Sequence, residues 1–140
     1  MMNWKVILGL SLFGLAMAIG TVFAISPTVE PFCWLVIFVI CAFVIARRAA
    51  RRPFLHGFLL GLVNSIWVTS AHIIFFQRYI AGHLQEATMM QRMPASFSPR
   101  ELMAITGPIV GVISGIVIGV LAWVVSRVLN SRGKPAAARR

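Results

Sequence analysis

Three polar side chains interrupt an otherwise apolar stretch of this chain: Asn64, Ser65 and His72. An amide, a hydroxyl and an imidazole can all hydrogen-bond, but only the imidazole exchanges protons near neutral pH. At about 100° per residue on a helix, the three lie within about 100° of one another, on the side that also carries Gly57 and Gly61. The expected role of this cluster is hydrogen bonding between helices, which fixes their register. The sharper alternative is a polar pathway or ligand site with His72 as its titrating member. Antiparallel neighbours would bring Ser114 to the depth of Asn64 and Thr106 to the depth of His72. Pro108 cannot donate to the Ala104 carbonyl, which leaves a spare acceptor at that level.

Other reactive residue types form no working set. His56 and His72 are separated by about 24 Å on one helix, and no other apolar run holds a histidine to complete a haem pair. Met89, Met90 and Met93 with His83 have the softness for copper(I), but read more simply as flexible apolar residues at an interface. The sequence has no Asp, and its three acidic residues, Glu30, Glu86 and Glu101, all flank apolar runs. Carboxylate-based proton-coupled transport wants an acid at membrane depth, so that class is disfavoured. No nucleophile–base set, carboxylate pair, zinc spacing or phosphate loop appears. The expectation is no catalytic, cofactor-binding or metal-ligating residue, hence not an enzyme.

A second pattern concerns packing. Gly107, Gly111, Gly115 and Gly119 recur every four residues, with Ser114 beside them. They form one small-residue stripe along a helix. Lipid provides no hydrophobic drive for helices to meet, so close backbone approach must do so, and glycine permits it. Gly57 and Gly61 repeat the theme, as do Ala16, Gly20 and Ala24. The stripe is expected to pack helices inside the fold, with a homo-oligomer interface as the alternative.

The elements that must carry these residues are four apolar runs, at 6–25, 32–46, 54–76 and 102–125. Each is long enough, or nearly so, to cross about 30 Å of hydrocarbon. The chain has 140 residues, 59% hydrophobic and 11% charged, about half the charged fraction of a soluble domain. Its net charge of +10 is topogenic. Arg47, Arg48, Arg51 and Arg52 separate the second and third runs, and Arg127, Arg132, Lys134, Arg139 and Arg140 follow the fourth. The turn at 26–31 has no basic residue. That is the positive-inside pattern with both ends in the cytoplasm. Anionic lipid at that face is the expected counter-charge, and no nucleic acid is expected. Lys5 ahead of the first run could mimic a signal peptide, but that run is too long, and a retained anchor is expected.

The sequence thus predicts an all-α integral membrane protein. It is read as an N-in/C-in four-helix bundle with spans near 5–25, 30–47, 54–76 and 99–127. Residues 80–93 are expected to form a short outer interfacial helix. Ser98-Pro99-Arg100-Glu101 reads as a capping box opening the fourth span. Residues 1–130 make one transmembrane domain, and 131–140 a disordered basic cytoplasmic tail. The layout resembles that of small four-span bacterial inner-membrane proteins, a resemblance that carries no functional residue. The expected function is a structural, assembly or regulatory membrane component acting with a membrane partner or a second copy. A small oligomeric channel or transporter is the alternative.

Overall fold

A computed structural model describes residues 2–49, 51–92 and 96–132. Among them there are six helices and no strand: α1 Trp4–Phe23, α2 Glu30–Arg48, α3 Pro53–Ile74, α4 Phe76–Gly82, α5 Leu84–Gln91 and α6 Pro99–Arg132. Of these, α1, α2, α3 and α6 are long and apolar enough to cross a membrane. Met93, Pro94 and Ala95, and the tail from 133 onward with Lys134, Arg139 and Arg140, lie outside the described residues.

Local chemistry sets the helix starts. The Asn3 side chain accepts the Val6 amide proton and caps α1. Pro31 and Pro53 occupy first-turn positions of α2 and α3, where no amide proton is missed. At α6 the capping box forms reciprocally. Ser98 N–H donates to Glu101 Oε2 at 2.7 Å, and Glu101 N–H donates to Ser98 Oγ at 3.3 Å.

The helix ends differ from expectation in two places. First, α6 continues to Arg132 over 34 residues, about 51 Å at the helical rise and well beyond one hydrocarbon thickness. After Gly119 it holds no glycine or proline to end it earlier. Second, the outer helix expected over 80–93 is two pieces, α4 and α5, parted at His83. Gly82 weakens the helix there. The His83 ring turns inward and is only 2% exposed, which a continuous surface helix would not allow.

The four long helices share one apolar core of Ile7, Leu10, Cys41, Ala42, Ile45, Leu60, Ile118 and Ala122. Outward faces are apolar as well: Phe32, Leu35, Ile66, Ile109 and Ile113 are all more than half exposed. In water that surface would cost about 25 cal/mol for each Å² left wet, so lipid is its natural solvent. This is the layout of a membrane protein.

Three rungs join α1 to α3. Asn3 N–H donates to His56 Nε2 at 2.9 Å, Trp67 Nε1–H donates to Ser11 Oγ at 3.4 Å, and Thr21 meets His72 at 2.9 Å. The rungs ascend together in number, so α1 and α3 run parallel. The opposite order holds between α3 and α6, where Gly57 faces Gly119 and Gly61 faces Gly115. Those two helices are therefore antiparallel. Buried His56 also bonds the Arg52 carbonyl through Nδ1 at 2.8 Å. With Nε2 accepting from Asn3, Nδ1 is the nitrogen that carries the proton.

Candidate functional site

The site begins with the seam between α3 and α6, the most extensive helix contact in the molecule. A methyl group on Gly57 would lie 2.6 Å from the Gly119 nitrogen. One on Gly115 would lie 2.6 Å from the Phe58 carbonyl oxygen, and one on Gly119 would lie 2.8 Å from that of Phe54. Gly61 has equally little room against Gly115. Farther along, Gly111 faces the Ser65 side chain and Gly107 faces Thr69. Backbone meets backbone only at the Gly57–Gly61 end. Toward Gly107 the spacers are hydroxyl side chains, and there the helices leave space between them.

That space is a cavity of about 390 Å³. Asn64, Ser65 and His72 all line it, and so do Ser114 and Thr106 from α6. The residues that sequence placed at matching depths do converge. One interhelical bond forms here, between His72 and Thr21, while the two serines bond within their own helices. Ser65 donates to the Leu62 carbonyl of its own helix at 2.8 Å, and Ser114 to the Gly111 carbonyl of its own at 3.2 Å. His72 is held by Thr21 of α1 and not by the Ala104 carbonyl. Asn64 is 4% exposed, and both its amide nitrogen and its oxygen lack a partner. Its side chain fits because Gly14 of α1 has no Cβ to collide with it.

Sequence reasoning missed the other end of the cavity, which Glu30, Trp34, Tyr79 and Glu86 line. Glu30 and Glu86 flank the apolar runs in sequence, yet the fold turns both toward the chamber that His72 also lines. The sequence placed these two acids only as flanking the apolar runs, and the fold adds that they share a cavity with His72. Glu30 Oε1 accepts from Trp34 Nε1–H at 3.1 Å, one turn along α2. Its other oxygen lies 3.5 Å from His83 Nε2, within ion-pair reach when the ring carries both protons. His83 Nδ1 donates to the Tyr79 carbonyl at 3.0 Å. One carboxylate oxygen of Glu86 is buried with no partner. The sequence held a faint signal for this end, the four-residue spacings Glu30–Trp34 and Tyr79–His83.

The rings of His72, Tyr79 and His83 stack in one column, with centroids 3.8 and 4.0 Å apart and planes inclined by 23° and 22°. Burial pushes the Tyr79 phenol well above its ordinary range, and the nearby Glu86 and Glu30 carboxylates push the same way. The Glu30 and Glu86 carboxylates are both at this end of the chamber.

Among the described residues no Lys or Arg lines the cavity. Among the described residues no group of three His, Cys, Asp or Glu side chains could hold a metal ion. Cys33 and Cys41 are both free. What the arrangement can do is bind: apolar walls from Phe38, Val68, Val110 and Met103, carboxylates at one end, and an unsatisfied amide at the other. Its volume falls within the range of small-molecule sites. No family model matches this chain, and no curated protein or solved structure matches it.

Proposed function

We propose that this chain is a protein of the bacterial inner (plasma) membrane, a four-helix bundle with both termini in the cytoplasm. It works by binding, as a regulatory or assembly component of the membrane, and not as an enzyme. The observation that carries this reading is the cavity with the unpartnered Asn64 amide at one end of it. A buried amide with no partner costs about 1–3 kcal/mol, a burden that a purely structural helix contact has no reason to keep. The cavity opens outward in this reading, as a vestibule. Glu30, Tyr79 and Glu86 gather at the end of the fold opposite Arg47, Arg48, Arg51, Arg52 and Arg127, although Arg78, Arg92 and Arg100 belong to the same end as the carboxylates.

Basic side chains support the threading. Arg47 lies 4.7 Å over the Phe43 ring and Arg127 5.1 Å over Trp123. Each lays its stem along an apolar surface while its charge is free to meet anionic headgroups. The α3–α6 seam uses Gly57, Gly61, Gly115 and Gly119 within one chain, so a second copy would need another face. A channel through one chain is disfavoured, because below Asn64 the helices close on Leu60, Ile118 and Ala122, all fully buried.

Cysteine accessibility tests the vestibule, in a background lacking Cys33 and Cys41. A membrane-impermeant thiol reagent applied from outside should label Ser114→Cys and spare Ala122→Cys. Labelling of both would mean a continuous aqueous path and favour the channel. Labelling of neither would mean a sealed interior and end the vestibule reading.

A further inference from the structure

We propose that the cavity is a binding site for a small organic cation, a protonated amine on an apolar body. The amine would pair with Glu86, and its far end would reach Asn64. The proposal rests on the vestibule reading and adds the chemical class of the ligand.

Four observations lead there. Glu86 has a buried carboxylate oxygen that no described residue satisfies. A buried acceptor of that kind calls for a donor, and a charged donor serves it best. Glu30 is less free for that role, because one of its oxygens already accepts from Trp34 and the other lies 3.5 Å from His83 Nε2. It does add negative charge close by, and the absence of any Lys or Arg among the described lining residues leaves that charge available.

Second, the lining is aromatic where a cation would rest. Trp34 and Phe38 line the chamber, and ring faces attract ammonium groups; the faces of Tyr79 are already covered by His72 and His83. Third, the remaining wall is apolar, with Val68, Met90 and Met103 prominent. A bare inorganic cation would lose its hydration there without replacement oxygens, whereas a hydrocarbon body gains from burial. Fourth, Asn64 is nine-tenths buried, lines the cavity and has both amide atoms free. It lies two helical turns below His72, about 12 Å along α3. That depth suits an elongated ligand whose tail ends in a polar group.

Tyramine, whose far end is a phenol, is a suitable probe, with 4-hydroxyphenylethanol as its neutral analogue and 4-hydroxyphenylacetate as its anion. Binding to the full chain in nanodiscs is measured by equilibrium dialysis. The amine should bind saturably at one site, and the alcohol and the acid at least about tenfold more weakly. Glu86→Gln should weaken the amine by at least about tenfold while leaving the fold intact by circular dichroism, since Glu86 sits on the half-exposed α5. Glu86→Asp should recover part of that loss. Equal binding of amine and acid would overturn the proposal, as would Glu86→Gln binding like the parent. If no probe saturates while Ser114→Cys is still labelled from outside, the cation assignment fails and the vestibule stands. If labelling fails too, both fail together.

Discussion

Gly61 of α3 and Gly115 of α6 pack backbone to backbone, with no room at position 61 for even a methyl group. Gly61→Ala should therefore force the helices apart and cost about 1–3 kcal/mol, the usual penalty for overpacking a tight contact. Gly9 is the internal control, since nothing lies within 4 Å of a methyl added there. Gly9→Ala should be neutral or stabilise by up to about 1 kcal/mol through helix propensity. Thermal unfolding in detergent, followed by circular dichroism, compares the two. Equal midpoints would show that the seam is loose.

Asn64 offers a prediction of opposite sign. Leucine is close to asparagine in size and carries no polar atom. Asn64→Leu should raise stability by about 1–3 kcal/mol, because it removes two unsatisfied buried atoms. The same variant should lose binding of an amine that reaches that depth. A fall in unfolding midpoint would mean that the amide has a partner after all.

Tyr79 is the chain's single tyrosine, so phenolate absorbance near 295 nm reports on it alone. Its pKa in the fold is raised, first by burial and then by Glu86 and Glu30. The folded state therefore holds the proton more tightly than the unfolded state. That stabilising contribution is complete below the ordinary tyrosine range, near pH 10, and is lost as pH climbs toward the raised value. Ionisation should begin above pH 10 and coincide with loss of helical signal. A free titration at pH 10 with the helices intact would place Tyr79 in water.

Threading is open to a direct check. Reporter fusions at Arg51 and at the C-terminus should read as cytoplasmic, and those at Glu30 and Gln91 as external. An external C-terminus would reverse the cavity as well, since the carboxylate end would then face the cytoplasm.

The spans were legible in the sequence because they rest on composition, and the α6 start because Ser98 and Glu101 form a local motif. Asn64, Ser65 and His72 were legible because polar residues stand out in an apolar run. Their partners were not. Thr21 is one hydroxyl among several, and only the packing of α1 along α3 brings it to His72. Glu30 and Glu86 looked like ordinary flanking charges. Their convergence depends on the break at His83, where a ring drawn inward overrides a segment whose neighbours favour helix. The length of α6 was underestimated because hydropathy fades before helix propensity does.

The ring column has a mechanical consequence. The chain changes helix at Phe75 and again at His83, two places where a joint would ordinarily bend. His72 stands before the first joint, Tyr79 between the two, and His83 at the second. Their stacked faces act as a splint across both. Through it a tilt of α3 passes to α4, and its last ring, His83, lies 3.5 Å from Glu30. The column ends at His83, so α5, which brings Glu86 and Met90 to the chamber, lies beyond its support and is held by the packing of Met90.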